Sequence, residues 1–372
     1  MPVRLFRAEF VVVNIFVSII EMIPTLRRRC VNVIFQVKTD KHWHTQKMLK
    51  HTVELSEKQE QQLRNLHGLP IIHHKGYVCT LPPGHRFPME KFNKVHNILV
   101  SDGIIEQRKQ VIEPNQISAK NAQCVHTAEY VDKFFNGKTT KEEQRVTGFE
   151  WTSGLASRVR YETGGTLLAA EIALERGLAC STAGGTHHAF PDRGAGFCLI
   201  NDLAVTAQHL INSGKICKVL IVDLDVHQGD GTAFIFQNND SVYTFSMQCQ
   251  QNFPFRKQQS DLDVYLNKGD GDEEFMKLLQ EHLPFVLKTF QPDLVLYDAG
   301  VDPHESDSLG YLDMTDLGLM KRDRYVLDTI LKQGIPCATV IGGGYDKCLD
   351  ELAKRHTIIH RAATYIFKSR RL

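Results

Sequence analysis

The chain has 372 residues, 42% hydrophobic, 9% aromatic and 23% charged, which excludes a disordered or collagen-like protein and suits one large α/β domain with an extension. Lys plus Arg number 44 against 43 Asp plus Glu, so the net charge of +1 offers no basic field for a phosphate backbone, and direct nucleic-acid binding is not expected. Nine cysteines scattered from Cys30 to Cys348 without a C-x-x-C pair point to neither a disulfide framework nor a cysteine zinc cluster, and to a reducing, intracellular compartment.

In chain order, residues 1–50 are basic, with nine Lys/Arg against three Asp/Glu, while the remainder is mildly acidic. The apolar run Val11 to Ile20, followed by Arg27, Arg28 and Arg29, is too short to span a bilayer, so no transmembrane segment is expected. It shows no small-residue cleavage site, and nucleus, cytoplasm and an organelle all stay open as destinations. Residues 47–66 read as a polar helix or linker, and 1–68 as an N-terminal extension to a domain at 69–370.

From Leu69 onward, short apolar runs alternate with amphipathic stretches, the pattern of βα units and a mainly parallel central β-sheet flanked by helices. Helices are expected over 89–101, 126–136, 164–176, 201–213, 272–290, 315–333 and 347–367. Buried strands are expected at Leu178 to Ser181, Lys218 to Val222, Val242 to Phe245, Leu294 to Tyr297 and Ala338 to Ile341.

Four of those strands run into polar clusters that packing does not explain: A-G-G-T-H-H-A-F one residue beyond Ser181, D-L-D-V-H-Q-G-D-G after Val222, D-A-G-V-D-P-H after Tyr297 and G-G-G-Y-D after Ile341. In open α/β sheets the ligand site lies beyond the carboxyl ends of the strands, so an active site is expected there. Asp223, Asp225 and His227 alternate with Leu224 and Val226, which puts the polar three on one face of an extended chain. A carboxylate and an imidazole two residues apart suit a divalent metal, and Asp302 from another strand end completes one imidazole and two carboxylates. His187 and His188 could each find a carboxylate in Asp223 or Asp230 and serve acid–base chemistry, or could be satisfied loop histidines. Tyr345 offers a phenol to a developing oxyanion, although G-G-G-Y also suits a plain strand-to-helix turn. Phe197 and Phe253 on post-strand loops could wall a narrow tunnel or be ordinary aromatics.

In this order, G-G-T-H-H-A, D-R-G-A-G-F-C, V-D-L-D-V-H-Q-G-D-G, A-G-V-D and G-G-G-Y resemble the zinc-dependent histone deacetylase family, over roughly Leu69 to Lys368. The H-Q-G form, Leu81 to Phe92 (L-P-P-G-H-R-F-P-M-E-K-F), the wording at Tyr161 to Thr166 and K-R-D at Lys321 to Asp323 look most like its class IV branch and bacterial relatives. The resemblance implies an arginase/deacetylase-like fold and hydrolysis of an N-ε-acyl-lysine amide on a protein, histones among the candidates. It carries zinc onto Asp225, His227 and Asp302, the histidine pair onto His187 and His188, and the transition-state tyrosine onto Tyr345. It sets Asp223 behind His187 and Asp230 behind His188, and lines the acyl-lysine tunnel with Gly196, Phe197 and Phe253. A structural potassium ion of the family would use the Asp223 side chain, main-chain oxygens of Asp225 and His227, the Ser246 hydroxyl and the Met247 carbonyl.

Two other functions compete. A small-molecule amidohydrolase, for acetylpolyamines or similar amides, could use the same fold; the two-metal arginase arrangement lacks ligands here, since Gly229 stands two residues after His227 and 301–304 reads V-D-P-H. A catalytically silent binding subunit is opposed by the intact His188, Asp225, His227, Asp302 and Tyr345.

Overall fold

The computed structural model describes residues 57–372; the apolar run Val11 to Ile20 and the arginine cluster at 27–29 lie outside the described residues. The strands are β1 Ile71–Ile72, β2 Val111–Ile112, β3 Leu178–Ser181, β4 Val219–Asp223, β5 Val242–Cys249, β6 Leu262–Leu266, β7 Leu294–Asp298 and β8 Cys337–Val340. They form one eight-stranded sheet in the order β2-β1-β3-β8-β7-β4-β5-β6. Every pairing is parallel. The chain crosses between non-adjacent strands through helices, as parallel pairing requires.

Strand β4, V-L-I-V-D, is buried along its whole length, because a central parallel strand is covered on both faces. Leu220 and Val222 join one apolar cluster with residues of helices Lys91–Ser101, Asp272–Phe290, Asp316–Lys332 and Leu349–Arg370. Val219 and Ile221 face the other way, into a cluster with Leu203, Ala204 and Ala207 of helix Asp202–Asn212 and Leu167 to Ala173 of helix Ser153–Arg176. No described helix is long and apolar enough to cross a membrane.

All five expected strands are present, and the seven expected helices recur with ends shifted by a few residues, with one larger difference. The helix expected from 164 begins at Ser153, where the Thr152 side chain accepts from Leu155 N at 3.0 Å. Gly164 and Gly165 are not its start but close-approach points. A Cβ at Gly164 would lie 1.9 Å from Asn115 O, and one at Gly165 1.9 Å from Tyr77 Oη. Strands β1 and β2 are too short to show a period, and β6, L-D-V-Y-L, is a half-exposed edge; none of the three was expected. Before Leu69, the helix Glu57–Arg64 seats Leu63 in the second cluster with Ile112, and Gln59 Nε2 donates to Glu113 O at 2.7 Å.

Candidate active site

Register across the middle of the sheet brings the first polar residues together. Asp223, ending β4, is the direct partner of Ser246 in β5 and Asp298 in β7. Past the strand ends the chain turns into loops that carry Asp225 and His227 from β4, Asp302 from β7, His187 and His188 from β3, and Tyr345 from β8.

Asp225, His227 and Asp302 are buried and offer ligand atoms that all lie within 4.8 Å of one another. His227 Nδ1 is 3.0 Å from Asp225 Oδ1 and 3.2 Å from Asp302 Oδ2. Backbone amides fix the carboxylates: His227 N donates to Asp225 Oδ1 at 2.9 Å, Gly343 N to Asp225 Oδ2 at 2.8 Å and Val226 N to Asp302 Oδ1 at 2.9 Å. Apart from the His227 ring, nothing approaches Asp302 Oδ2 as a hydrogen-bond partner. Burial, reinforced by the Asp225 charge, pushes the Asp302 carboxyl up to about 7. Burial opposes ionisation of Asp225 too, but His187 and His227 outweigh it and hold its carboxyl well below the usual range. Two carboxylates and one imidazole crowded in a dry pocket have the chemistry of a divalent-cation site, where a cation would ionise both acids.

His187 Nδ1 lies 2.8 Å from Asp223 Oδ2, and His188 Nδ1 2.6 Å from Asp230 Oδ1. The two Nε2 atoms are 3.2 Å apart. Both imidazoles are therefore oriented by a carboxylate, with their free edges turned toward each other. Burial disfavours charge on His187, but Asp223 and Asp225 overcome it and raise its pKa well above the ordinary value. Burial, and then the neighbouring His187 charge, lowers His188 to about 4 despite Asp230. The pair thus holds one proton with His188 as the neutral partner, and the rings of His188 and His227 are 5.9 Å apart.

Tyr345 stands opposite, its ring 6.5 Å from that of His227 and 5.8 Å from Phe197, and its backbone N donates to Asp307 Oδ2 at 2.6 Å. Phe253 meets His188 edge-on at 4.9 Å. Phe197 adopts φ +65°, a conformation that costs a bulky residue energy, and its N donates to Thr147 O while its ring contacts Phe87 and Phe149. Gly196 beside it has no room for a side chain: a Cβ would lie 2.7 Å from His188 Cδ2 and 3.1 Å from Phe253 Cε1. Gly196 and Phe253 accordingly lie against His188, and Phe197 beside Tyr345. Ser246 and Met247 are buried beside Asp223, and the Ser246 hydroxyl has no partner.

Four supporting residues escaped the sequence reading. Asp202 takes Gly185 N, Thr186 N and the hydroxyls of Thr166 and Thr186, which shapes the loop before the histidine pair. Fully buried Arg322 donates to Gly300 O at 2.7 Å, Leu224 O at 3.3 Å and Ala299 O at 3.3 Å, and so ties the β4 and β7 loops together. Buried Lys91 donates to Gly342 O at 3.1 Å. Asp298, with His187 and Asp223, forms a second group of close ligand atoms, and neither of its oxygens has a partner. Arg322 and Lys91 lie inside motifs quoted above, but a lysine or arginine on a helix reads as a solvated side chain until the fold is known.

Residues 85–362 match the family described as the histone deacetylase domain. An uncharacterized protein of Picosynechococcus is 49% identical over 300 residues, 81% of this chain and 100% of that protein. Histone deacetylase 2 of Arabidopsis thaliana is 32% identical over 272 residues, 71% of this chain and 70% of its own length. The solved structure of the HDA15 HD domain superposes with a TM-score of 0.67 over 80% of this chain and 88% of that one, at 23% identity, which speaks for the fold. With most of its length matched and the strand-end motifs gathered at one place, the chain belongs to the histone deacetylase family.

Proposed function

We propose that the protein hydrolyses the amide of an N-ε-acyl-lysine side chain, with zinc held by Asp225, His227 and Asp302. What supports the reading most is the juxtaposition of three elements: a buried two-carboxylate, one-imidazole cluster, a histidine pair that shares a proton, and a phenol on the far side. The donor set suits zinc, since its atoms already converge and Asp302 Oδ2 has no partner beyond the His227 ring, itself a candidate ligand. Bound there, zinc would polarise the scissile carbonyl and lower the pKa of the attacking water.

The chain's own groups supply the rest. His188, neutral at physiological pH, takes the proton of the attacking water and returns it to the leaving lysine nitrogen. His187, held by Asp223 and positively charged, stabilises negative charge beside it. The Tyr345 hydroxyl, kept protonated by burial and then by the nearby carboxylates, donates to the oxyanion. Gly196, Phe197 and Phe253 pack around the aliphatic stem of the substrate and leave its polar backbone outside. The unpartnered Ser246 hydroxyl beside the Asp223 carboxylate suits a structural potassium ion, completed by main-chain oxygens of Asp225, His227 and Met247.

A panel of matched lysine peptides carrying acetyl, octanoyl and myristoyl groups, run beside acetylspermidine with zinc-loaded protein, tests the reading. Turnover of any acyl-lysine peptide supports it, and the preferred chain length separates deacetylase from long-chain deacylase. Turnover of acetylspermidine alone would move the protein to the small-molecule amidohydrolases, and none on any substrate to a silent binding subunit.

A further inference from the structure

The loop after β5 places an apolar side chain where water should reject it. Phe255 is 91% exposed, far more than any other large hydrophobic residue described, whereas Phe253 two positions earlier packs edge-on against His188. Two residues span at most about 7 Å of backbone, so Phe255 stands close to Phe253 and the His188 ring on which it packs.

The loop is built rather than slack. Buried Asn252 donates from Nδ2 to Leu309 O at 2.6 Å and accepts from Tyr311 N at 3.0 Å. Lys257 Nζ closes the turn on Asn252 O at 2.8 Å. On the other side, Gln228 and Gln258 exchange two bonds, Gln228 Nε2 to Gln258 O and Gln258 N to Gln228 Oε1, both at 2.8 Å. Gln228 follows His227 directly, so the loop is anchored to the same turn that carries the metal-ligand candidates. Both feet are fixed, and at the apex Phe255 and Arg256 stand in solvent, with Phe253 38% exposed beside them.

We propose that Phe255 is a specificity-determining residue: its ring covers the apolar side chain of a residue flanking the acyl-lysine in a polypeptide substrate. The inference rests on the acyl-lysine reading of the site and adds to it that the substrate is a polypeptide with an apolar neighbour. An exposed ring on a rigid loop binds at little cost in ordering, which favours contact with an extended chain lying across the site. A lone acylated amine small enough to enter the tunnel would leave the ring uncovered.

The test compares kcat/KM of zinc-loaded wild type and Phe255→Ala on an acetyl-lysine heptapeptide with leucine on both sides of the lysine, and on a blocked acetyl-lysine with no flanking residues. The expected result is a loss of peptide preference of about tenfold in Phe255→Ala, carried by KM rather than kcat, since covering one ring is worth about that factor. Phe255→Leu should restore most of it, which a merely structural defect would not allow. Equal kcat/KM ratios in wild type and Phe255→Ala, or a loss of the same size on both substrates, would overturn the role given to Phe255 and leave the acyl-lysine reading standing. If wild type hydrolyses neither substrate, both readings fall together.

Discussion

His187 and His188 are consecutive in the chain, yet their Nε2 atoms face each other at 3.2 Å while each Nδ1 is held by a different aspartate, Asp223 and Asp230. With both Nδ1 positions occupied by N–H groups directed at carboxylates, the facing edges have room for one proton, and the two rings titrate as a unit. The charge on His187 contributes to the depression of His188 to about 4, second only to burial.

Removing that charge therefore has a signed consequence. In His187→Asn, His188 loses a positive neighbour, so its pKa rises from about 4 toward the ordinary 6.5. A base that must be neutral is then lost at higher pH, and the acid limb of kcat/KM moves upward. A pH profile of the variant checks this, and a limb unchanged or moved downward would contradict the proton-sharing pair.

The glycine run before Tyr345 supports the metal-ligand candidates from behind. A Cβ at Gly343 would lie 2.1 Å from Asp302 Oδ2 and 2.5 Å from Asp225 Oδ2, on carboxylates that backbone amides hold in place. Gly343→Ala should lower zinc affinity by about 10–100-fold, the range for disturbing groups that orient metal ligands. His227→Ala should lose the metal outright. Metal analysis after dialysis against a weak chelator reads both, and a full zinc equivalent retained in His227→Ala would refute the ligand assignment.

Away from the site, His126 makes the fold sensitive to acid. Its Nε2 accepts from Asn201 N at 3.0 Å, so its Nδ1 carries the proton and donates to Phe190 O at 2.9 Å. Protonating Nε2 would set N–H against N–H, and burial lowers this group to about 4. Its folded pKa lies below the unfolded 6.5, so the unfolded chain binds more protons between those values. The stabilisation is complete above pH 6.5 and is lost as pH falls toward 4, at about 1.4 kcal/mol per unit for this one group. Urea unfolding between pH 7.5 and 5 should show stability falling, with a shallower slope in His126→Gln.

Gly165 tests the packing of the longest helix. The site has no space for a methyl group, because Tyr77 Oη occupies it and Tyr77 is fully buried. Gly165→Ala should destabilise by about 1–3 kcal/mol or more, despite the better helix propensity of alanine. A gain in stability, read by urea unfolding, would mean that the helix and Tyr77 separate readily.

Much of this was legible in the sequence because the chemistry sits where strands end. A continuous apolar run such as V-L-I-V identifies a buried strand, and the polar residues after it have no packing role, so Asp223, Asp225, His227 and Asp302 stand out. Positions whose role depends on another part of the chain were not legible. Gly164 and Gly165 look like a helix start until Asn115 and Tyr77 are seen pressed against them. Arg322 and Lys91 look like surface charges until their carbonyl partners, on loops 22 and 251 residues away, are in place. Edge strand β6 alternates too weakly to be separated from a loop, because it has only one neighbour and partial cover.

In the proposed reaction, Tyr345 and the histidine pair act on an acyl-lysine amide at a zinc held by Asp225, His227 and Asp302. Its most direct test is single-substrate turnover of an acetyl-lysine peptide by wild type and Tyr345→Phe, with the zinc content of each preparation measured alongside. The expected result is one zinc in both proteins and a kcat lower by about 10²–10³ in the variant, the usual cost of losing one oxyanion donor. Equal turnover at equal zinc content would contradict it.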